Sequence, residues 1–148
     1  MNQSIPESAL RDFIEEKGAN APISKLLGFD HIRMEAPGEV VVGMEANGRH
    51  ANPMGTLHGG VLCDLTDAAM GMSVASTLGE GESFTTLELK INFLKPVWTA
   101  RLEARGRIVK KGKSTCLVEA DVTDADDALV ARATSTCMIL RGDGATGR

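Results

Sequence analysis

The chain has 148 residues, with 16 Lys and Arg against 20 Asp and Glu, a formal net charge of −4, and 43% apolar residues. That balance excludes a disordered polymer and a general nucleic-acid binder, which would present a basic surface; an anionic ligand would need a local basic patch. The length fits one domain, residues 1–148, with its own core, and no apolar run approaches the ~20 residues that would cross a bilayer.

The opening "MNQSIPESALRDFIEEKG" lacks the basic start and apolar run of a secretion signal. Cys63, Cys116 and Cys137 are odd in number and widely spaced, which fits neither a disulfide framework nor a zinc site. They are expected to be small, reduced core residues, and the protein to be cytoplasmic.

Glu7 to Glu16 reads as a short helix, with Ser8 or Ser4 near its start, and "APISKLLGF" adds a turn before Gly28. Residues 1–27 are thus expected to form a helical flank, serving as a lid or as packing. Strands are expected from about Gly38, where "GEVVVGMEA" precedes the polar loop "NGRHANPMG". A long helix over Gly60 to Leu78 follows, with Gly79 and Gly81 as stop signals. Val61, Leu65, Ala68, Met72 and Ala75 recur at the spacing of a buried stripe. The adjoining row Thr66, Ala69, Ser73 and Ser76 is small, which lets a sheet approach closely.

Beyond the helix, "SFTTLELKINFLK" alternates: Thr85, Leu87, Leu89, Ile91 and Phe93 face one way, Glu88, Lys90 and Asn92 the other. This period puts Thr86 on the polar face unless a bulge intervenes. Three further strands direct inward Leu102, Ala104 and Ile108; then Cys116, Val118, Ala120 and Val122; then Leu129, Ala131, Ala133, Cys137 and Ile139. "KKGK" and "TDADDA" supply the turns between them. Residues 141–148 read as a flexible tail. The class is α+β, an antiparallel sheet wrapped around one long central helix, with short N-terminal helices.

The stretch carrying chemistry is "NPMGTLHGGVLCDLTDAAMG", residues 52–71. Gly59 and Gly60 leave backbone N–H groups open at the positive end of a helix, a setting for an anion or a developing oxyanion. The bland alternative is a plain turn capped by water. His58 either orients the turn through a ring hydrogen bond or donates to a ligand. Asp64 and Asp67 lie on the same side of the helix, about one turn apart. The helix dipole accounts for Asp64 in the first turn; Asp67, two turns in, is either solvent-exposed or held for chemistry.

This stretch resembles the signature of hotdog-fold acyl-CoA thioesterases, in the phenylacetate-pathway (PaaI-like) branch. The pattern is Asn-x-x-Gly-x-x-His-Gly-Gly with an acid nine positions after the histidine, and Asn52, Gly55, His58, Gly59, Gly60 and Asp67 match every element. The similarity runs from about Gly28 to Leu140 and includes "INFLKPV" and "KKGKS". It implies hydrolysis of acyl-CoA, with the Gly59 N–H polarising the thioester carbonyl, His58 and Asn52 shaping the site, and Asp67 as the catalytic carboxylate. Gly60 and Thr86 would adjoin the substrate, and Asp64 matches no catalytic position. Coenzyme A would enter as substrate, with no cofactor; three scattered histidines offer no metal set.

Along one helix Gly59 and Asp67 stand ~12 Å apart, whereas a base must come within ~3 Å of its reacting partner. A second helix, antiparallel across a two-fold axis, would bring its Asp67 opposite Gly59. A homodimer or homotetramer is therefore expected, without nucleic-acid or membrane partners. Arg105, Arg107, Lys110, Lys111 and Lys113 gather on one strand and its turn; the lysines either meet the phosphates of coenzyme A or form a solvated hairpin face. Rival readings are a non-catalytic acyl-CoA-binding module on the same fold, a dehydratase of carrier-bound acyl chains, and a plain structural oligomer. Four Phe, one Trp and no Tyr leave the choice between aromatic and fatty acyl groups open.

Overall fold

A computed structural model describes residues 6–146. Helices α1 (Glu7–Asn20) and α2 (Pro22–Leu27) lead into strands β1 (Phe29–Ala36) and β2 (Glu39–Ala46), then helix α3 (Gly59–Ala75). Strands β3 (Glu82–Phe93), β4 (Ala100–Lys111), β5 (Thr115–Asp124) and β6 (Leu129–Arg141) complete the chain. The six strands form one antiparallel sheet in the order β1-β2-β4-β5-β6-β3. The sheet wraps α3, the arrangement expected of a hotdog fold. Ser8 falls in the first turn of α1; Ser4, and the tail residues 147 and 148, lie outside the described residues. Residues Gly142–Ala145 of the tail form a short 3-10 turn.

The helix rests on the sheet through its small row. Thr66, Ala69, Ser73 and Ser76 are all buried. Facing them, β4 carries Gly106, where a Cβ would stand 2.4 Å from the Ala69 carbonyl oxygen and 2.8 Å from the Ser73 hydroxyl. The Ser73 hydroxyl donates to the Ala69 carbonyl at 2.8 Å and accepts from the Val40 N–H at 3.2 Å. A polar row thus becomes a satisfied contact in the core rather than a cost.

The sequence misplaces several details. The strands begin at Phe29, not Gly38: β1 is an edge strand rich in charge, broken by register shifts near both ends, so its alternation is faint. The buried stripe of α3 is rotated, with Leu62, Leu65, Met70 and Val74 fully buried while Val61, Ala68, Met72 and Ala75 are half-buried. Of that second group, Ala68, Met72 and Ala75 face the N-terminal flank. Gly18 of α1 packs so closely there that a Cβ would meet Met72 Cε at 2.6 Å and Ile32 Cδ1 at 2.8 Å.

The helix also ends at Ala75 without a glycine terminator. Ser76 donates its hydroxyl to the Ser73 carbonyl and accepts from the Gly38 N–H, and the Thr77 hydroxyl bonds back to the Val74 carbonyl. In β6, Val130 is buried and Leu129 is 37% exposed, because the β5–β6 register slips between Val122 and Thr123. Cys116 and Cys137 are buried and unpaired as expected; Cys63, also unpaired, is only half-buried.

Replacing Gly106 with Ala forces a methyl group into the Ala69 backbone. Gly106→Ala is expected to lose about 2 kcal/mol or more of unfolding free energy, read as a lower urea midpoint at fixed protein concentration.

Candidate active site

The turn before α3 is held on both sides. Asn52 accepts from the N–H groups of Met54 and Thr56 and donates its amide to the Thr56 hydroxyl, all within 3.2 Å. Its side chain is therefore committed to shaping the loop. The Leu57 N–H donates to the Val97 carbonyl and the His58 N–H to the His50 carbonyl. His50, buried, is fixed through both ring nitrogens, to the Asn47 N–H and the Leu27 carbonyl.

His58 is the N-cap of α3. Its Nδ1 accepts from the Gly60 N–H at 2.8 Å, which places the ring proton of the neutral form on Nε2. The Val61 N–H returns to the His58 carbonyl at 3.0 Å. Of the two glycine donors read from the sequence, Gly60 is thus occupied, and the Gly59 N–H alone has no partner among the described residues. The Phe93 ring lies over Gly59, and a Cβ there would stand 2.8 Å from Cζ. Glycine keeps the donor uncovered by a side chain of its own.

Asp67 lies two turns into α3 and takes a hydrogen bond from the Thr86 hydroxyl at 3.3 Å. The strict alternation of β3 fails because of a bulge: Thr86 pairs with Cys137 but Glu88 with Thr136, leaving Leu87 as the extra residue. Phe84 and Thr86 face the helix before it, Leu89 and Ile91 after it, and Leu87 is 52% exposed. Asp67 is solvent-exposed as a residue, yet partial desolvation of its carboxyl pushes it above its ordinary 3.8; the Thr86 hydrogen bond partly counters this, and the negative charge of Asp64 adds a smaller upward push.

Asp67 and Thr86 open on a cavity of about 310 Å³, otherwise mostly apolar. Asp64 lines it too, but the walls are Ile23, Phe29, Met72 and Phe84, which the sequence reading does not single out for function. One sign of them is Gly71 in the middle of α3, where glycine costs about 1 kcal/mol against alanine. It lies against the Phe84 ring, 3.3 Å from where a Cβ would be.

The basic cluster is dispersed in the folded chain. Arg105 pairs with Glu39 at 2.9 Å and Arg107 with Glu119 at 2.7 Å. Lys111 caps the Thr77 carbonyl beyond the C-terminal end of α3, roughly 24 Å along the helix from Gly59. Lys110 and Lys113 are exposed and make no ion pair among the described residues. Among those residues no group of three or more His, Cys, Asp and Glu gathers as a metal site, and no helix is long and apolar enough to cross a membrane.

With this geometry in place, comparison with known proteins is specific. Residues 54–131 match the family profile described as Thioesterase superfamily. A Saccharolobus solfataricus protein named as an esterase is 34% identical over 119 residues, 80% of this chain and 84% of that one. The acyl-coenzyme A thioesterase 13 of Homo sapiens is 26% identical over 130 residues, 86% of this chain and 92% of its own. A solved structure of a phenylacetic acid degradation-related protein from Ralstonia eutropha JMP134 is 34% identical with a TM-score of 0.73, covering 81% of this chain and 92% of that one.

The raised value at Asp67 has a consequence for stability. Because the folded value exceeds the unfolded one, its contribution is fully present only below pH 3.8, with the carboxyl protonated, and is lost as pH rises through the folded value. Asp67→Asn is therefore expected to raise the melting temperature at pH 7, with the gain shrinking as the pH falls toward 3.8. A series of thermal melts across that range measures it.

Proposed function

The chain belongs to the thioesterase superfamily, and on that footing we propose that it hydrolyses acyl-coenzyme A thioesters, R–CO–S–CoA and water giving the free acid and the thiol. One observation carries this reading: Asp67, held by Thr86 beside an apolar cavity, shares a helix with an unpartnered N–H at Gly59. The carbonyl oxygen sits against that N–H at the positive end of α3. One such donor is commonly worth ~3 kcal/mol as the carbon becomes tetrahedral. The carboxylate either takes a proton from a water that attacks the carbonyl, or attacks it directly. In the second case the C–S bond breaks, the CoA thiolate leaves and takes up a proton, and water cleaves the resulting anhydride to the free acid. The acyl group occupies the cavity, whose walls favour an apolar chain or ring.

The two groups come from different chains. Within α3 they are ~12 Å apart, too far to act on one carbonyl. Strand β3 is a sheet edge of 12 residues, with Leu87 52% and Phe93 55% exposed. An open edge of this length is a template for strand pairing. Antiparallel pairing of two β3 strands about a two-fold axis sets the two α3 helices antiparallel, with Asp67 of each chain opposite Gly59 of the other. The same operation carries the exposed Lys110 and Lys113, at the far end of α3, toward the other chain's site, where they meet the phosphates of coenzyme A. The likeness to the Ralstonia protein supports the phenylacetate-pathway-like branch.

A thiol-trapping assay over a panel of acyl-CoAs tests the activity, and absence of turnover across the panel would leave the binding-module reading in its place. Asp67→Asn is expected to lower kcat by about a thousandfold or more. Gly59→Pro removes the donor N–H at a position whose backbone suits proline, the first helical turn after an extended His58 at φ −66° and ψ 131°; the exposed Phe93 ring must swing aside for its Cβ, and the variant should cost about 10²–10³ or more in kcat. Mixed in equal amounts and allowed to exchange subunits, the two inactive variants should regain about a quarter of wild-type activity, since half the dimers are hybrids with one intact site each. A site lying within one chain would regain none. Lys113→Glu should raise KM severalfold at low salt and less at high salt.

A further inference from the structure

The proposed site places Asp67, Thr86 and Gly59, but leaves open what turns Thr86 inward on a strand whose pattern points it out. The answer lies one strand away, on β6. Ser135 is buried, at 0% exposure, and its hydroxyl donates to the Glu88 main-chain carbonyl at 2.7 Å. Glu88 is the first paired residue after the bulge, and Ser135 itself is the register partner of Leu89. A bulge breaks the ladder of main-chain hydrogen bonds and leaves groups to be satisfied in another way. Ser135 supplies a donor at that break. Its hydroxyl also lies 4.0 Å from the Cys137 thiol, which in turn lies 4.0 Å from the Thr86 hydroxyl. The buried side chains of one strand thus brace the irregularity of its neighbour.

We propose that Ser135 is a positioning residue for the thioesterase site, pinning the β3 bulge so that Thr86 faces the helix and orients the Asp67 carboxylate. The inference rests on the proposed function for its catalytic meaning, but not for its structural one. Without the hydroxyl, the Glu88 carbonyl loses its side-chain donor and the bulge is free to relax. Relaxation by one residue turns Thr86 to the opposite face, since side chains alternate along a strand. Asp67 then loses the hydrogen bond that favours its ionised form.

The other groups acting on this carboxylate are known. Asp64 adds negative charge from α3. The Cys63 and Cys137 thiols, on α3 and β6, are pushed up mainly by burial, with Asp67 adding to both and Glu88 of β3 adding to Cys137. None of these is cationic, so Thr86 is the group that favours the charge.

The experiment compares wild type, Ser135→Ala, Thr86→Val and the double variant by two readouts. One is the acid limb of kcat/KM against pH with an acyl-CoA found in the panel; the other is the NMR titration of the Asp67 carboxyl carbon. Ser135→Ala is expected to shift both upward by about half a pH unit, in the direction of Thr86→Val, and to add nothing further in the Thr86→Val background. Ser135→Cys, which keeps a weak donor of similar size, should fall between wild type and Ser135→Ala. Unshifted titrations in Ser135→Ala, or a shift fully additive with Thr86→Val, would overturn the proposal. Should the wild type hydrolyse no acyl-CoA, the proposed function fails, and the NMR titration still decides the role of Ser135.

Discussion

The distance between one helix and one strand governs this molecule. α3 touches β4 where Gly106 has no side chain and where Ala69 and Ser73 have small ones. With the helix that close, the sheet can curl round it, β4 to one side and β3 to the other. Everything the site needs follows from that seating. The Thr86 hydroxyl reaches Asp67 only because β3 and α3 lie within one short side chain of each other. A larger row on the helix would leave more apolar area to bury but would move β3 out of reach.

The site draws on both ends of a trade between folding and chemistry. Asp67 stands at the mouth of an apolar cavity, and partial desolvation there raises its carboxyl value. A residue chosen for stability alone would be neutral. The compensation is partial, one hydroxyl from Thr86. At the start of the same helix the reverse holds: His58 satisfies Gly60, Val61 is bonded back to the cap, and among the described residues the donor at Gly59 is left without a partner. An acid without a cation and a donor without an acceptor are opposite incompletions. In the proposed dimer each completes the other around a substrate.

Much of the architecture is legible in the sequence because its signals are local. The central helix, the four long strands and the small row on α3 follow from periodicity and side-chain size. The glycine turn and the acid two turns beyond it are visible as a pattern too far from ordinary helix usage to be incidental. What is lost is whatever depends on a distant partner. Edge strand β1 is set by its pairing with β2 and by Met34 packing in the same core as Ile14. The change of phase at Leu87 is dictated by β6, through Ser135, and no window on β3 alone contains it. The cavity walls come from residues 43 or more positions apart, Ile23 and Phe29 against Met72 and Phe84, each unremarkable in its own segment.

The sheet has two borders, and they are built differently. β3 is 12 residues long, with one irregularity on its β6 side; β1 is eight, with two breaks in its pairing and the charged Asp30, Arg33 and Glu35 along it. A second copy can add smoothly to the first border and poorly to the second. In the proposed dimer, joined through β3, the outermost strands of the enlarged sheet would both be β1. Growth by strand addition would then halt at a closed pair, and a protein with a long exposed border would be spared the path toward fibres.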